Sequence, residues 1–413
     1  MDADKIKESV RRATTDLVAN SKILKKEKEE ELPHFDLPEI EKGKRLGAGA
    51  FGIVWEISNV ALDPAIDREE SGKCVSDTPT GGDDDDDDDD DEAGDLAALS
   101  QEARRFIAKT AVREDTSASR YAVKILRPEL SNDPSTFEKG CIDLAMEANF
   151  LSNFVHPNII KVRGAGLDKL IGTKDYFLVM DRLYGTLDGK LEEWKATQKK
   201  MGMFGKKAAK EDLLKDRLNV AFELSAALNY MHARNIIYRD LKPENLGFDI
   251  RGDVKIFDLG FARELTPALA AGMDEYGEDT YKLTGKTGTL IYMAPEVVLM
   301  KPYGLKADVY SLSILLWEFF HLGKEPFGKS TTRIHEKMVC RGSIRPKIDK
   351  KVPKEVAALM TDCWAKQTNN RPGMKAVNLK LKREMQALQG DGENGGNVDF
   401  SKRRSTFVFR GKK

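Results

Sequence analysis

At 413 residues the chain is long enough for two or three domains, and 40% hydrophobic with 33% charged residues can supply a sizeable core. A formal net charge of −1 argues against nucleic-acid or membrane binding driven by overall charge. The four cysteines (Cys74, Cys141, Cys340, Cys363) are widely spread with no C-x-x-C, so neither a disulfide framework nor a zinc site is indicated.

In chain order, residues 1–41 form a charged N-terminal extension in which Ile6, Val10, Leu17, Ile23 and Leu24 give only a loose helical stripe. No apolar signal segment, membrane-length run or lipidation signal is found, which predicts a reducing, cytoplasmic location. A solvated, partly helical arm is expected here; the alternative is a regulatory arm phosphorylated within Arg11-Arg12-Ala13-Thr14. Next, Gly47, Gly49 and Gly52 form G-x-G-x-x-G. A dinucleotide loop would open into a helix. Ile53, Val54 and Trp55 are strand formers, so a strand–loop–strand hairpin is predicted, whose backbone N–H groups can approach phosphate oxygens.

Residues 58–118 interrupt this pattern with an unbroken aspartate run at 83–91. Like charges packed so densely repel one another, which predicts disorder there, with a short helix over 96–109. A solubilising loop is the expected role. The alternatives are docking of a basic partner, contact with the Lys-rich segment 195–210, or loose Ca²⁺ binding without the EF-hand spacing.

Residues 120–126 return as a strand bearing Lys124. Asn132-Asp133-Pro134-Ser135 is a helix start for a helix reaching about Phe154, which carries Glu138 and Glu147. Strands are predicted over 159–164 and 176–180, the second running into Met180, Asp181 and Leu183. A short helix over 187–194 then precedes a basic loop holding six lysines and no acid between 195 and 210. An amphipathic helix follows over 212–233. Two short strands, 246–249 and 254–257, flank the turn Arg251-Gly252-Asp253. Folding that hairpin brings Asp258 back beside Asp240 and Asn245, so that three oxygen-bearing side chains and the Lys242 ammonium converge. Such a set suits a hydrated Mg²⁺ and a phosphate.

In order, G-x-G-x-x-G, Ala122-Val123-Lys124, the helix glutamate, Y-R-D-x-K-x-x-N (238–245), Asp258-Leu259-Gly260 and Ala294-Pro295-Glu296 resemble the eukaryotic protein kinase family, serine/threonine type. The resemblance covers about residues 42–380 outside the insertions at 58–118 and 195–210, leaving 381–413 as a flexible tail. It implies an α+β, bilobal protein-kinase-like fold. The small N-lobe would hold a five-stranded antiparallel sheet and one helix, and the larger C-lobe would be mainly helical.

The resemblance also implies roles. Gly47, Gly49, Gly52 and Val54 would cover ATP; Lys124 would contact its phosphates and pair with Glu147, Glu138 being the competitor. Met180 would be the gatekeeper beside adenine, with the hinge from Asp181 to Leu183. Asp240 would accept or orient the substrate hydroxyl proton, Lys242 would neutralise the γ-phosphate, and Asn245 and Asp258 would hold Mg²⁺. Arg239 and Arg263 would make a phosphate site for an activation segment phosphorylated at Thr284 or Thr287, with Thr280 and Tyr281 behind them. Thr289 would hydrogen-bond Asp240 or Lys242, Glu296 would pair with Arg371, and Asp308 would brace the catalytic loop.

Tyr238 stands where His is more frequent, and Leu259 where D-F-G has Phe; both are apolar packing positions in the family and neither is a ligand. Cys363-Trp364 and Arg371-Pro372 resemble the tyrosine-kinase-like and tyrosine kinase groups, whereas Lys242 and Thr289 favour serine/threonine specificity. The implied partners are protein substrates bearing Ser or Thr, with no nucleic acid and no membrane span. The alternative is a pseudokinase scaffold that binds through its acidic insert and basic loop; intact Lys124, Asp240, Asn245 and Asp258 count against it.

Two further patterns are weaker. The stretch 323–330 satisfies the Walker A spacing, but a buried helix is predicted before it, and Pro326 sits in the proposed cradle. Lys402-Arg403-Arg404-Ser405-Thr406 is expected to be a solvated basic tail, with a phosphorylation or nuclear-import signal as alternatives.

Overall fold

The computed structural model describes residues 3–64, 66, 88–201, 207–328 and 331–388. The chain divides into two compact units, residues 1–155 with 160–182, and residues 156–159 with 183–413.

The first unit is built on a six-stranded sheet of β1 (His34–Phe35), β2 (Ile40–Ala48), β3 (Gly52–Val60), β4 (Tyr121–Leu126), β5 (Val162–Gly166) and β6 (Phe177–Asp181), in the order β1-β5-β6-β4-β3-β2. Five antiparallel strands were expected. The sixth, β1, pairs in parallel with β5 through His34–Ala165 and Phe35–Gly166. Two residues are too short to show a period of two, so this strand leaves no mark in the pattern. The strand expected at 159–164 begins instead at Val162.

Side chains alternate across the sheet, and β4 shows why this matters. Tyr121 and Val123 join a core with Phe35, Ile57, Phe177 and Val179. Lys124, one residue on, points to the other face, where helix α4 (Pro134–Asn153) supplies Glu147. That helix starts where predicted: the Asp133 side chain accepts from Ser135 N at 3.2 Å, and Pro134 takes the first helical position.

One expectation for this unit is corrected and another is extended. The insertion is not simply a solubilising loop. Its helix α3 runs over Asp88–Thr110, longer than 96–109, and residues 88–91, expected to be disordered, form its start; acidic residue types are favoured at a helix N-terminus. Residues 83–87 lie outside the described residues. Ile107 and Ala111 enter the sheet core. Arg104, 0% exposed, pairs at 2.7 Å with Glu39, 3% exposed, and also donates to His34 O. The N-terminal arm is partly helical and mostly exposed, as expected, but it is also docked. Helix α1 (Ala3–Ala19) and the single turn α2 (Glu27–Glu30) both pack on α4; Ile6 and Val10 of α1 and Leu24 of the connection are buried.

The second unit is mainly helical, with α5 (Leu187–Met201), α6 (Lys207–His232), α7 (Lys306–Phe320), α8 (Lys354–Cys363) and α9 (Met374–Ala387). The basic loop expected at 195–210 is largely helix: Lys195, Lys199 and Lys200 lie on α5, and Lys207 and Lys210 open α6. Lysine is a good helix former, and a charge run alone does not break a helix. Residues 202–206 lie outside the described residues. Helix α7, buried along nearly its whole length, precedes Gly323, so no P-loop strand exists there; Lys329 and Ser330 are outside the described residues. The hairpin β9 (Leu246–Phe248) and β10 (Val254–Ile256) forms as expected, and β7 (Gly185–Thr186) adds to its edge. Strand β8 (Ile236–Ile237) pairs with β11 (Arg263–Glu264). An unforeseen hairpin, β12 (Ala270–Met273) and β13 (Asp279–Tyr281), sits inside the activation segment; its turn is closed by the Asp274 carboxylate, which accepts from Tyr276 N and Glu278 N. Among the described residues, no helix is long and apolar enough to cross a membrane.

Candidate active site

The site residues fall in two groups, one in each unit. In the first unit, Lys124 stands opposite Val54 of β3 and Leu178 of β6. Its Nζ lies 2.5 Å from Glu147 Oε2, so Glu147, not Glu138, is the partner on the helix. The turn between β2 and β3 closes through Gly49 N donating to Gly52 O at 2.8 Å. A Cβ on Gly52 would lie 3.0 Å from Lys124 Cε, so the glycine leaves room for that side chain to cross the strand. Gly47 pairs with Val54 across the same turn. Met180 is buried on β6 beside Ala122. The Asp181 carboxylate is gripped by Arg163, at 2.7 Å from Nε and 3.0 Å from Nη2. Leu183 belongs to the second unit, where it packs against Gly247.

In the second unit, the catalytic loop is set by one buried carboxylate. Asp308 on α7 accepts from Tyr238 N at 2.8 Å and Arg239 N at 2.9 Å, and lies 2.9 Å from His232 Nε2. This clamp holds Arg239 at φ +72°, a left-handed conformation that costs about 1–3 kcal/mol in a non-glycine residue. Asp258 shares that conformation at φ +61°. Tyr238 and Leu259 are fully buried, as packing residues should be, and Tyr238 donates its hydroxyl proton to Phe257 O. Phe257 N donates to Asn245 O at 3.1 Å, tying the two loops together.

Asp240 is 3% exposed. Its Oδ2 accepts from Lys242 Nζ at 2.7 Å and Asn245 Nδ2 at 2.8 Å, while its Oδ1 is buried with no hydrogen-bonding partner. Burial raises its carboxyl above the ordinary range against the pull of Lys242 and Asn245, and the charge of Asp258 adds to the rise. Gly288, at φ +101°, lies directly over it: a Cβ there would come within 2.6 Å of Arg239 O and 3.2 Å of Asp240 Oδ1. The expected hydrogen bond from Thr289 to Asp240 or Lys242 does not form; Lys242 is engaged with Oδ2, and Gly288 is the neighbour of Oδ1.

Arg239 also reaches the activation segment. Its Nε donates to Phe261 O at 2.6 Å and its Nη1 to Thr284 Oγ1 at 2.9 Å. Tyr303, which sequence reasoning missed, donates to Thr284 O at 2.8 Å, and its phenol feels the charges of both Arg239 and Arg263. An isolated tyrosine between two motifs carried no signal of this role. Arg263 itself donates to Gly260 O and Ala262 O. Thr284 is exposed, whereas Thr287 is buried and donates to Thr284 O, and Thr280 is buried and donates to Gly272 O. Below the segment, Arg371 forks onto Glu296 at 2.6 and 3.0 Å.

Among the described residues, no cluster of three or more His, Cys, Asp or Glu could cage a metal. Asn245, bonded to Asp240, and Asp258, whose charge Asp240 feels, instead offer few, hard oxygen donors. Such a set fits Mg²⁺, which keeps most of its shell for water and phosphate oxygens.

The family profile described as the protein kinase domain matches residues 108–380. That match starts after the glycine-rich hairpin, which nevertheless pairs with β4 in one sheet. Among curated proteins, the serine/threonine-protein kinase STY17 of Arabidopsis thaliana is 30% identical over 66% of this chain and 41% of its own length. The serine/threonine-protein kinase STY46 of the same plant is 30% identical over 69% of this chain and 45% of its own. The cAMP-dependent protein kinase catalytic subunit of Schizosaccharomyces pombe is 34% identical over 50% of this chain and 33% of its own. The chain thus spans less than half the length of these relatives. With the profile covering well over half of its residues, the chain belongs to the protein kinase domain family.

Proposed function

We propose that this protein is an active serine/threonine kinase that transfers the γ-phosphoryl group of ATP to protein Ser or Thr hydroxyls. The observation that carries this reading is the Asp240 carboxylate: Oδ2 is saturated by Lys242 and Asn245, and Oδ1 is buried and unpartnered. A buried acceptor without a donor costs about 1–3 kcal/mol, and an incoming substrate hydroxyl would satisfy it. Asp240 then orients that hydroxyl and takes its proton as the oxygen attacks phosphorus. Lys242 offers positive charge at the same point, and Lys124, fixed by Glu147, offers it to the α- and β-phosphates. Bound Mg²⁺, held by Asn245 and Asp258, would supply further charge neutralisation. The printed names of the plant relatives, both serine/threonine kinases, point the same way. Intact Lys124, Asp240, Asn245 and Asp258 argue against a pseudokinase scaffold.

Regulation is part of this proposal. Thr284 is the exposed hydroxyl that Arg239 already touches, so it is the preferred phosphoacceptor over buried Thr287 and Thr280. A phosphate there would sit on a guanidinium one residue from Asp240. The test is transfer from labelled ATP with Mg²⁺ to a generic basic protein, before and after treatment with an activating kinase, followed by phosphoamino-acid analysis. Label in phosphoserine or phosphothreonine, raised by the activator in wild type but not in Thr284→Ala, is expected. No transfer under either condition would favour the scaffold, and full activation of Thr284→Ala would remove Thr284 from the switch.

A further inference from the structure

The Lys124–Glu147 pair depends on how α4 is rotated, and α4 is held on one side by a segment outside the matched family profile. We infer that residues 3–31 brace α4, with Asn149 and Asn153 as the positioning residues that keep Glu147 on Lys124. Four observations converge on this. Helix α1 buries Ile6 and Val10 in its contact region with α4. Lys25 and Asn153 exchange two hydrogen bonds, Lys25 N to Asn153 Oδ1 at 2.9 Å and Asn153 Nδ2 to Lys25 O at 3.2 Å. Arg11 of α1 reaches Asp168, beyond β5, at 2.9 Å. The Glu29 carboxyl of α2 lies against the side chain of Asn149, two residues from Glu147.

The last contact is the pH-sensitive one. Asn149 is buried, its Nδ2 donates to Ala145 O at 3.1 Å, and its Oδ1 has no donor. Burying a carboxylate beside this amide costs free energy that a neutral carboxyl avoids. Burial, helped by the charges of Asp168 and Glu30 and opposed by the Asn149 amide and Lys26, raises the Glu29 carboxyl to about 7. The other group felt at this point is the buried Tyr176 phenol, which stays neutral across this range. Asp168 is paired with Arg11, and Glu30 with Lys26. Because the docked arm holds this carboxyl above its free value, its contribution to docking is fully present below the ordinary carboxylate range and is lost as pH rises through about 7. The brace is therefore firmer in acid than in alkali.

The inference rests on the kinase reading for its activity readout only. The test uses the full chain as wild type, Glu29→Gln and Glu29→Ala. Amide exchange in residues 3–31 and 134–153 is corrected for intrinsic rates and compared at about pH 6 and about pH 8, alongside phosphotransfer kinetics. Wild type should open about tenfold more readily at the higher pH. Glu29→Gln, which fills the same space and is neutral at every pH, should stay protected at both, and Glu29→Ala should be open at both, with a raised KM for ATP. If Glu29→Ala fails to fold, the flat profile of Glu29→Gln still carries the test. A wild-type profile independent of pH, or one that Glu29→Gln reproduces, overturns the inference. Absent phosphotransfer with the predicted exchange pattern would overturn the kinase reading and leave the brace standing.

Discussion

Asp240 shows how one carboxylate is prepared for two tasks. Its Oδ2 is fixed by Lys242 and Asn245, which sets the orientation, and its Oδ1 is left to accept. Burial raises its affinity for a proton, and the Lys242 ammonium restrains that rise. A general base must be deprotonated to work, so activity falls as pH drops through the pKa of Asp240. Removing the ammonium should move that acid limb of kcat/KM to higher pH, because burial and the charge of Asp258 are then opposed only by the Asn245 hydrogen bond. We predict this alkaline shift for Lys242→Met, together with a lower kcat, read from pH–rate profiles. An acid limb unmoved or shifted toward acid would mean that Lys242 does not set the protonation of Asp240. These residues were legible because Asp240, Lys242 and Asn245 sit at short fixed offsets in one loop and Asp258 follows across a two-stranded hairpin. Gly288 and Tyr303 were not, since each acts through a contact that only the folded activation segment creates.

At the scale of elements, the acidic insertion is anchored more firmly than its composition suggests. Arg104 and Glu39 form a buried pair at 2.7 Å, and Glu39 also accepts from the backbone N–H groups of Asp36 and Asp63. Removing one partner from such a pair commonly costs about 3–5 kcal/mol, because the other charge stays buried. Arg104→Ala should lose stability on that scale in chemical denaturation, and Arg104→Met combined with Glu39→Gln should recover much of it. A loss below about 0.5 kcal/mol for Arg104→Ala, the range of ordinary surface substitutions, would mean that α3 is not docked. The physical reason this helix was underestimated is plain in its sequence. Ile107 and Ala111 are spaced for one helix face, but they follow a dense aspartate run whose repulsion dominates the pattern. The N-terminal arm hides its contact similarly: Ile6 and Val10 are one turn apart among charged residues, too few to establish a periodicity. By contrast, α4 carried its own start signal in Asp133-Pro134 and ran to within a residue of the expected end.

Across the whole molecule, the α+β class and the division into a sheet-based unit and a mainly helical unit follow from motif order. What the motifs did not reveal lies mostly outside them: β1, α1, α2 and α3 all precede the residues matched by the kinase profile or barely overlap them. These additions gather on the unit that carries Lys124 and Glu147, and the chemistry assigned to Asp240 lies in the other. The central claim is that Asp240 makes this chain a phosphotransferase. It is tested most directly by single-turnover transfer from ATP with Mg²⁺, comparing wild type with Asp240→Asn at matched nucleotide occupancy. The amide keeps the shape of the side chain but cannot take a proton. Transfer should fall by about 10²–10⁴-fold while nucleotide affinity holds within about threefold. Equal transfer by the two proteins would contradict the account.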